Sequence, residues 1–333
     1  MKELESIKDD IKSNKLKPFY VFDGEETYYI DMLCDYFEEH LLQPGEKDFN
    51  QTVFYGKDTE VTSILNECRS YPVFANRRLI IVKEAQALKD FVLLESYFQN
   101  PAESSVLVMA YKYKKVDGRS NASKLIKKNG TYFTFDKIRD YKLGEWIMQL
   151  CAAKNVKISV ANAELIGAHL GTDLQKVANE IEKVIINISV GEEITEELIE
   201  RYIGISKDYN IFQYPMALLE KDVEKAYKII QYYMANTKEF HMVPITANVY
   251  SQFSRLYQYH YASHLSQAEI ASTLKISPFF VKDYQKAARM YSLAQTQKVI
   301  QLVYEYNLNA VGMHIAKNDL SLLKEMTAKI LAA

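Results

Sequence analysis

Two hydrophobic periodicities alternate over the first 140 residues. Short runs rich in β-branched and aromatic residues are followed by longer stretches in which apolar residues recur at helical spacing. The runs predict strands at Phe19–Phe22, Gln51–Tyr55, Leu79–Val82, Val106–Met109 and Tyr132–Phe135. The stretches predict helices at Glu26–Leu42, Thr59–Arg69, Ala85–Gln99 and Asn121–Lys128. Strands that alternate with helices indicate βαβ units, and hence a mainly parallel sheet with helices on both faces.

After Asp140 the strand pattern stops and the chain has only helical spacing. The predicted helices are Tyr141–Lys154, Asn162–His169, Leu174–Asn187 and Glu193–Tyr202, followed by a longer set from Ile211 onward. The fold prediction is an α/β parallel-sheet domain over residues 1–140, a small all-α domain over 141–206 and a larger all-α bundle over 207–333. The chain as a whole should be mostly helical.

Composition narrows the class of protein further. Of 333 residues, 48% are hydrophobic and only 11 are Gly, which is typical of a globular chain and disfavours a β-sandwich. The net charge of −2 means that any nucleic-acid binding must come from a local patch. The three cysteines lack a CxxC pair, which argues against zinc or disulfides and fits the cytoplasm. We expect neither a signal peptide nor a membrane-spanning segment.

The loop after the first predicted strand is where a parallel α/β domain usually binds phosphate. Here it reads Phe22-Asp23-Gly24-Glu25-Glu26-Thr27, with one glycine, no lysine and three carboxylates. A P-loop needs GxxxxGK[ST], because backbone amides and a lysine neutralise the phosphates. The third strand resembles a Walker B strand, but Lys83 follows it where an aspartate would hold magnesium. Taken alone, Lys83 is better explained as the solvated end of a buried strand. Together with the loop after the first strand, it predicts a nucleotide-binding fold without nucleotide chemistry.

Large apolar residues follow the helix that precedes the third strand. Pro72 ends that helix, and Tyr71, Val73 and Phe74 then lie in a short connection. A helix-to-strand loop lies at the amino end of a parallel sheet, opposite the nucleotide edge. We predict a protein-contact site here, with Phe74 as its anchor. The alternative is that Phe74 folds back under the sheet.

Two further segments have weaker signals. Residues 112–128 hold seven Lys/Arg, among which Lys112, Lys114, Lys115 and Arg119 are candidates for DNA phosphate contacts, although a solvated surface is the commoner explanation. The segment Gln267–Tyr284 has the spacing of a helix-turn-helix, with a turn at Lys275–Ser277. The near-neutral charge of this segment favours a role in helix packing and argues against a helix that binds in a DNA groove. The sequence has no HExxH or GxSxG motif and predicts no catalytic or metal site.

Five blocks in order resemble the delta-subunit family of the bacterial DNA polymerase III clamp loader. They are Tyr20–Ile30, Tyr71–Val82, His169–Lys183, Asn210–Phe212 and Glu269–Arg289. The resemblance implies an AAA+-like module without ATPase activity, a lid at 141–206 and an oligomerising collar at 207–333. It implies that the chain is not itself an enzyme and needs no cofactor, polymerase activity residing in other subunits of the holoenzyme.

The resemblance also implies partners. They are the ring-shaped beta sliding clamp, the delta-prime and gamma/tau clamp-loader subunits, and primed DNA within the complex. The clamp contact is a helix with an apolar plug, and these correspond to Thr59–Arg69 and to Tyr71, Val73 and Phe74. The family commonly has leucine where this chain has Val73. The alternatives are a helix-turn-helix regulator, an NTPase with an unusual site and a non-catalytic AAA+-like scaffold.

Overall fold

A computed structural model describes residues 2–206, 209–238, 240–311 and 320–333. These residues form two compact units, the first ending at Ile138 and the second beginning at Arg139. The second unit contains both segments that the sequence predicts as separate helical domains. The division of 139–333 into a lid and a collar therefore stays a prediction.

The first unit is built on a five-stranded parallel sheet. Its strands are β1 (Phe19–Gly24), β2 (Gln51–Tyr55), β3 (Arg78–Lys83), β4 (Ser105–Lys112) and β5 (Thr131–Phe135). They lie in the order β2-β3-β4-β1-β5, and every pair is parallel. The predicted parallel sheet is confirmed, and each predicted strand is present to within a few residues at either end.

Helices cover both faces of this sheet. They are α1 (Lys2–Lys12), α2 (Thr27–His40), α3 (Pro44–Asn50), α4 (Val61–Arg69), α5 (Glu95–Gln99) and α6 (Asn121–Asn129). Consecutive strand residues point to opposite faces. Phe19 and Val21 pack with α4, α5 and α6 on one face, whereas Tyr20 and Phe22 pack with α1 and α2 on the other.

The predicted helix over Ala85–Gln99 is wrong. The segment forms two 3-10 turns, Ala85–Ala87 and Phe91–Leu94, before α5 begins at Glu95. Glu84 and Asp90 take φ angles of +55° and +56°, which an α-helix does not allow. The turns are tied to the sheet edge, because the Gln86 side chain accepts a hydrogen bond from the Lys112 amide.

The second unit is almost entirely helical. Its helices are α7 (Leu143–Ala153), α8 (Val160–Leu170), α9 (Leu174–Ile185), α10 (Glu196–Ile203), α11 (Gln213–Leu219), α12 (Val223–Ala235), α13 (Met242–Ala262), α14 (Gln267–Leu274), α15 (Val281–Met290), α16 (Leu293–Ala310) and α17 (Leu322–Leu331). The expectation that no strand follows Asp140 is wrong in one detail. A two-residue parallel pair, β6 (Lys157–Ile158) and β7 (Glu193–Ile194), joins the loops that precede α8 and α10.

Local chemistry explains where these helices begin. Ser159, Asp173 and Thr195 each cap a helix by accepting a hydrogen bond from a backbone amide of its first turn. The larger core of this unit centres on α13, whose buried Val249 and Phe253 lie on one face at helical spacing. Among the described residues, no helix is long and apolar enough to cross a membrane.

Candidate functional site

The loop between α4 and β3 exposes a group of large apolar side chains at the amino end of the sheet. Phe74 is 100% exposed, Tyr71 is 85% exposed and Val73 is 41% exposed. We call residues 70–77 the plug loop. The alternative prediction that Phe74 folds back under the sheet is wrong, because its ring is entirely accessible. Large apolar side chains that are exposed together on one loop are typical of a contact surface.

Phe74 also has an unfavourable backbone conformation. Its φ angle of +53° lies in the left-handed region, where a residue with a large side chain is uncommon. Such a conformation costs on the order of 1–3 kcal/mol and persists only where surrounding contacts fix it. The plug loop must therefore be held by other residues.

Asn50, the last residue of α3, provides the main attachment of the plug loop. Its side chain is completely buried. The Asn50 Nδ2 donates to the Val73 carbonyl at 2.9 Å, and the Val73 amide donates to Asn50 Oδ1 at 2.7 Å. The side-chain amide thus pairs with both backbone groups of Val73, as a neighbouring strand would. The same Nδ2 donates to the Glu46 carbonyl at 3.0 Å, which fixes the Asn50 side chain to its own helix.

Arg78 supports the loop from the first residue of β3. The buried Arg78 guanidinium forms an ion pair with Glu67 of α4 through Nη2. Its Nη1 lies 3.3 Å from the Phe49 carbonyl and 3.5 Å from the Tyr71 carbonyl. One guanidinium therefore joins α3, α4 and the plug loop. The sequence analysis missed both Asn50 and Arg78.

Helix α4 lies directly before the plug loop and has two different faces. Val61, Ile64 and Cys68 are buried against the sheet. The opposite face exposes polar residues, namely Thr62, Ser63, Asn66 and Arg69. An exposed polar helix beside an exposed apolar loop has the composition of an interface rim next to an apolar centre.

The loop after β1 lies at the opposite edge of the sheet and is filled by protein atoms. The buried Asp23 carboxylate accepts hydrogen bonds from the Val116 amide at 2.8 Å, from the Thr134 hydroxyl at 2.7 Å and from the Tyr132 hydroxyl. Gly24 has a φ of +125°, and a Cβ at this position would collide with the Phe135 carbonyl. No side chain other than hydrogen fits there.

The amino end of α2 is capped by its own chain. The Glu26 side chain, which is buried, accepts a hydrogen bond from the Tyr28 amide at 3.3 Å. A carboxylate thus occupies the place where a phosphate would bind to a helix N-terminus. Glu26 and the closely packed Gly24 thus fill this loop, and its unsuitability for a triphosphate stays a prediction.

Lys83 and Lys112 end two neighbouring strands at this same edge. Lys83 Nζ lies 3.3 Å from Glu38 and 3.7 Å from Asp35, both on α2. Although burial lowers the pKa of Lys83, the hydrogen bond to Glu38 and the charges of both carboxylates outweigh burial and raise it. Lys83 thus places a paired cation where a Walker B aspartate would hold magnesium.

Lys112 is a poor candidate for a DNA contact. It is largely buried and forms ion pairs with Asp31 at 2.7 Å and with Glu84 at 3.3 Å. Its ammonium group is therefore already neutralised inside the domain. The prediction of a phosphate contact at Lys112 lacks geometric support.

The other three basic candidates lie in the loop that follows β4. Lys115 forms an ion pair with Asp136 at 2.6 Å, and the exposed Arg119 lies 3.9 Å from Asp117. Lys114 has an exposed side chain, while its carbonyl accepts a hydrogen bond from the Gly24 amide at 2.9 Å. The structure thus brings these three residues onto one loop, and their contact with DNA stays a prediction.

The helix-turn-helix spacing corresponds to α14 and α15. Lys275 ends α14 with a φ of +54°, the conformation that glycine usually takes in such a turn. Val281, Tyr284 and Ala287 of α15 are buried in the larger core. The Tyr284 hydroxyl donates to the buried side chain of Gln252 on α13. These contacts agree with the packing interpretation of the motif.

A cavity of about 560 Å³ lies inside the second unit, where α7 and α8 approach α13 and α15. Glu164 of α8 lines it, and burial raises the pKa of the Glu164 carboxyl to about 7 despite the positive charge of Arg255. Gly144 makes room for this carboxyl, since a Cβ at that position would collide with the Glu164 side chain. Among the described residues, no group of His, Cys, Asp and Glu side chains could hold a metal ion.

Comparison with known proteins gives matches along most of the chain. The family model described as "DNA polymerase III, delta subunit" matches residues 20–136, and the model "DNA polymerase III delta subunit, C-terminal domain" matches residues 208–331. The DNA polymerase III subunit delta of Bacillus subtilis (strain 168) is 26% identical over 330 residues, which cover 95% of this chain and 93% of the relative.

Solved structures include one with the same overall fold. The Bacillus subtilis DNA clamp loader delta protein aligns with a TM-score of 0.52 at 23% sequence identity. The alignment covers 99% of this chain and 100% of that protein. The likeness supports the fold across both units.

Proposed function

The chain belongs to the family of DNA polymerase III delta subunits, and from this premise we propose that it binds the ring-shaped beta sliding clamp through the plug loop and opens it. Membership of this family makes the chain a clamp-loader component that acts in DNA replication. In the proposal, Tyr71, Val73 and Phe74 enter an apolar pocket of the clamp. The opened clamp can then pass around primed DNA.

One observation carries the proposal, namely the fully exposed ring of Phe74 on a loop that the protein holds in place. Burying a phenylalanine side chain stabilises a complex by roughly 1.5–3 kcal/mol. Because Asn50 and Arg78 fix the loop before binding, the free energy of binding is not reduced by an entropic cost of ordering the loop. An exposed aromatic anchor on a pre-ordered loop is the arrangement expected of a binding hot spot.

Opening a ring requires more than tight binding. A ligand shifts a conformational equilibrium only if it binds one state more strongly than the other. We assign this preference to α4, whose polar face adjoins the plug loop. Phe74 provides affinity for the clamp, and α4 contacts the clamp in a way that favours the opened interface.

The chain would not supply the ATP-dependent step. Glu26 caps α2 with a carboxylate, and Lys83 occupies the place of a magnesium ligand. These features support a role without ATPase activity, in which the gamma/tau subunits bind ATP and control access to the plug loop. Residues 207–333 would form the collar that joins delta-prime and gamma/tau, and Lys114, Lys115 and Arg119 would contact the primed DNA.

The direct test is calorimetric titration of the chain with the sliding clamp from the same cell. Phe74→Ala should weaken binding by roughly ten- to a hundredfold, because an apolar anchor of 1.5–3 kcal/mol is lost. Its free energy of unfolding should not fall, since the ring has no contacts to lose. Phe279→Ala is the matched control, because Phe279 is an exposed phenylalanine of the second unit.

Two outcomes would count against the proposal. If the folded wild-type chain does not bind the folded clamp, the partner is wrong. If Phe74→Ala binds as tightly as the wild type, the anchor is wrong. Opening is measured separately by a pair of fluorophores placed across the clamp interface, which should separate when the wild-type chain is added without nucleotide.

A further inference from the structure

We propose that Phe49, on α3, is a second aromatic contact for the clamp, so that the docking surface consists of two chain segments. This inference rests on the proposed function and extends the plug loop to a residue more than twenty positions upstream. Phe49 is 63% exposed although it is a large apolar residue. Its position in the fold, together with the hydrogen bonds around it, places it beside the plug loop.

The sheet topology brings the two segments to one edge. Strands β2 and β3 are parallel neighbours, with Gln51 opposite Leu79. Phe49 comes just before β2, and the plug loop comes just before β3. Both therefore lie at the amino end of adjacent strands, which are about 5 Å apart in a sheet.

Hydrogen bonds fix the two segments to each other. Asn50, the residue after Phe49, pairs with both backbone groups of Val73. The Nη1 atom of Arg78 reaches the carbonyl groups of both Phe49 and Tyr71. When Phe74 enters a pocket of the clamp, Phe49 therefore lies on the part of this chain next to that pocket.

Both chain segments expose large apolar side chains at this edge of the sheet. They are Phe49 on α3 and Tyr71, Val73 and Phe74 on the plug loop. Exposed large apolar side chains grouped at one edge of a domain are typical of a protein contact. The occupant is the sliding clamp, because Asn50 and Arg78 join this segment to the plug loop that we assign to the clamp.

Tyr55 offers a matched control at the far end of β2, the strand that follows Phe49. It ends β2 at the carboxyl edge of the sheet and is 53% exposed, close to the exposure of Phe49. Phe49, which precedes β2, and Tyr55, which ends it, are thus similarly exposed aromatic residues at opposite edges of the sheet. A variant of Tyr55 tests whether any lost aromatic side chain of this domain weakens the clamp complex.

The experiment compares clamp binding of the full chain, Phe49→Ala, Tyr55→Ala and Phe74→Ala by calorimetric titration. Phe49→Ala should raise the dissociation constant by roughly five- to tenfold, as expected for a partly buried aromatic contact. Tyr55→Ala should bind like the wild type. Amide hydrogen exchange of the wild-type chain should show protection of residues 45–50 when the clamp is added.

The outcomes separate this inference from the proposed function. If the wild-type chain binds and Phe74→Ala does not, while Phe49→Ala matches the wild type and residues 45–50 gain no protection, the second contact is wrong and the plug stands. If Phe49→Ala and Tyr55→Ala weaken binding equally, the effect is not local to this surface and the inference is also wrong. If the wild-type chain does not bind the clamp, both proposals fail.

Discussion

The Asn50→Ala variant tests whether the plug loop is held ready for binding. Asn50 is fully buried and forms two hydrogen bonds with the backbone of Val73, at 2.7 Å and 2.9 Å. Alanine removes both bonds and also the one to the Glu46 carbonyl. The Phe74 ring itself is untouched by this change, so any loss of clamp binding must come from the position or order of the loop.

The expected magnitude follows from the number of bonds. A typical hydrogen bond contributes about 0.5–1.5 kcal/mol net, so the two bonds to Val73 together favour the attached loop by about 1–3 kcal/mol. Since Phe74 has a left-handed backbone that is unfavourable by itself, the released loop should adopt other conformations. If only the attached conformation of the loop binds the clamp, the affinity falls in proportion to the fraction of molecules in that conformation, by roughly five- to a hundredfold.

The assay is calorimetric titration with the sliding clamp, beside urea unfolding of each variant. Asn129→Ala is the matched control, because the Asn129 side chain also donates to a distant backbone carbonyl, that of Phe98, at 2.9 Å. Both variants should lose stability, but only Asn50→Ala should lose affinity. Asn50→Asp keeps an acceptor for the Val73 amide but turns a carboxylate oxygen toward the Val73 and Glu46 carbonyls, so it should bind the clamp no more tightly than Asn50→Ala.

One result would refute the reasoning directly. If Asn50→Ala binds the clamp as tightly as the wild type while Phe74→Ala does not, the plug loop does not depend on its attachment. The left-handed backbone of Phe74 would then be maintained by the loop itself. An equal loss of affinity in Asn129→Ala would show that general destabilisation, and not loop position, weakens the complex.

Two further predictions concern the carboxyl groups of Glu164 and Asp23. Burial raises the pKa of Glu164 from 4.5 to about 7, so between these pH values the folded chain retains a proton that the unfolded chain releases. The contribution of this group to the free energy of unfolding should therefore fall as pH rises from about 4.5 to about 7. The measurement is urea unfolding of the wild type and Glu164→Gln over this pH range. If the free energy of unfolding changes with pH equally in both, the prediction is wrong. Asp23→Ala should lower the free energy of unfolding by about 3 kcal/mol, because three hydrogen-bond donors lose a charged acceptor. A loss below about 1 kcal/mol would show that these donors find other partners.

The sheet could be predicted because its strands are buried on both faces. Residues 79–82 and 106–109 are continuous apolar runs, which suit parallel strands covered by two helical layers. Helix α1 was missed although Leu4, Ile7 and Ile11 have helical spacing and contact the core, because charged residues surround them. The helix over Ala85–Gln99 was wrongly predicted, since its apolar spacing does not reveal the positive φ angles of Glu84 and Asp90.

Some residues of the candidate site could likewise be predicted from the sequence, and others could not. Tyr71, Val73 and Phe74 could be selected from the sequence, because Pro72 places them in a connection too short to bury them. Asn50 could not, since its partner Val73 lies 23 residues away and only the pairing of β2 with β3 brings them together. Lys112 has the same charge as its neighbours in the basic run, and only the position of Asp31 on α2 reveals that it is already paired.

The two edges of the sheet differ in their side-chain contacts, and this difference supports the proposal that the domain holds the plug loop rigidly. At the carboxyl edge, Asp23 joins β1 to β5 and to the loop before α6, while Lys83 joins β3 to α2. These bonds join strands and helices at the carboxyl edge through protein atoms alone. The plug loop lies at the opposite, amino edge. Arg78 begins β3 and contacts the plug loop, whereas Lys83 ends the same strand and pairs with α2, so β3 is attached to neighbouring elements at both of its ends.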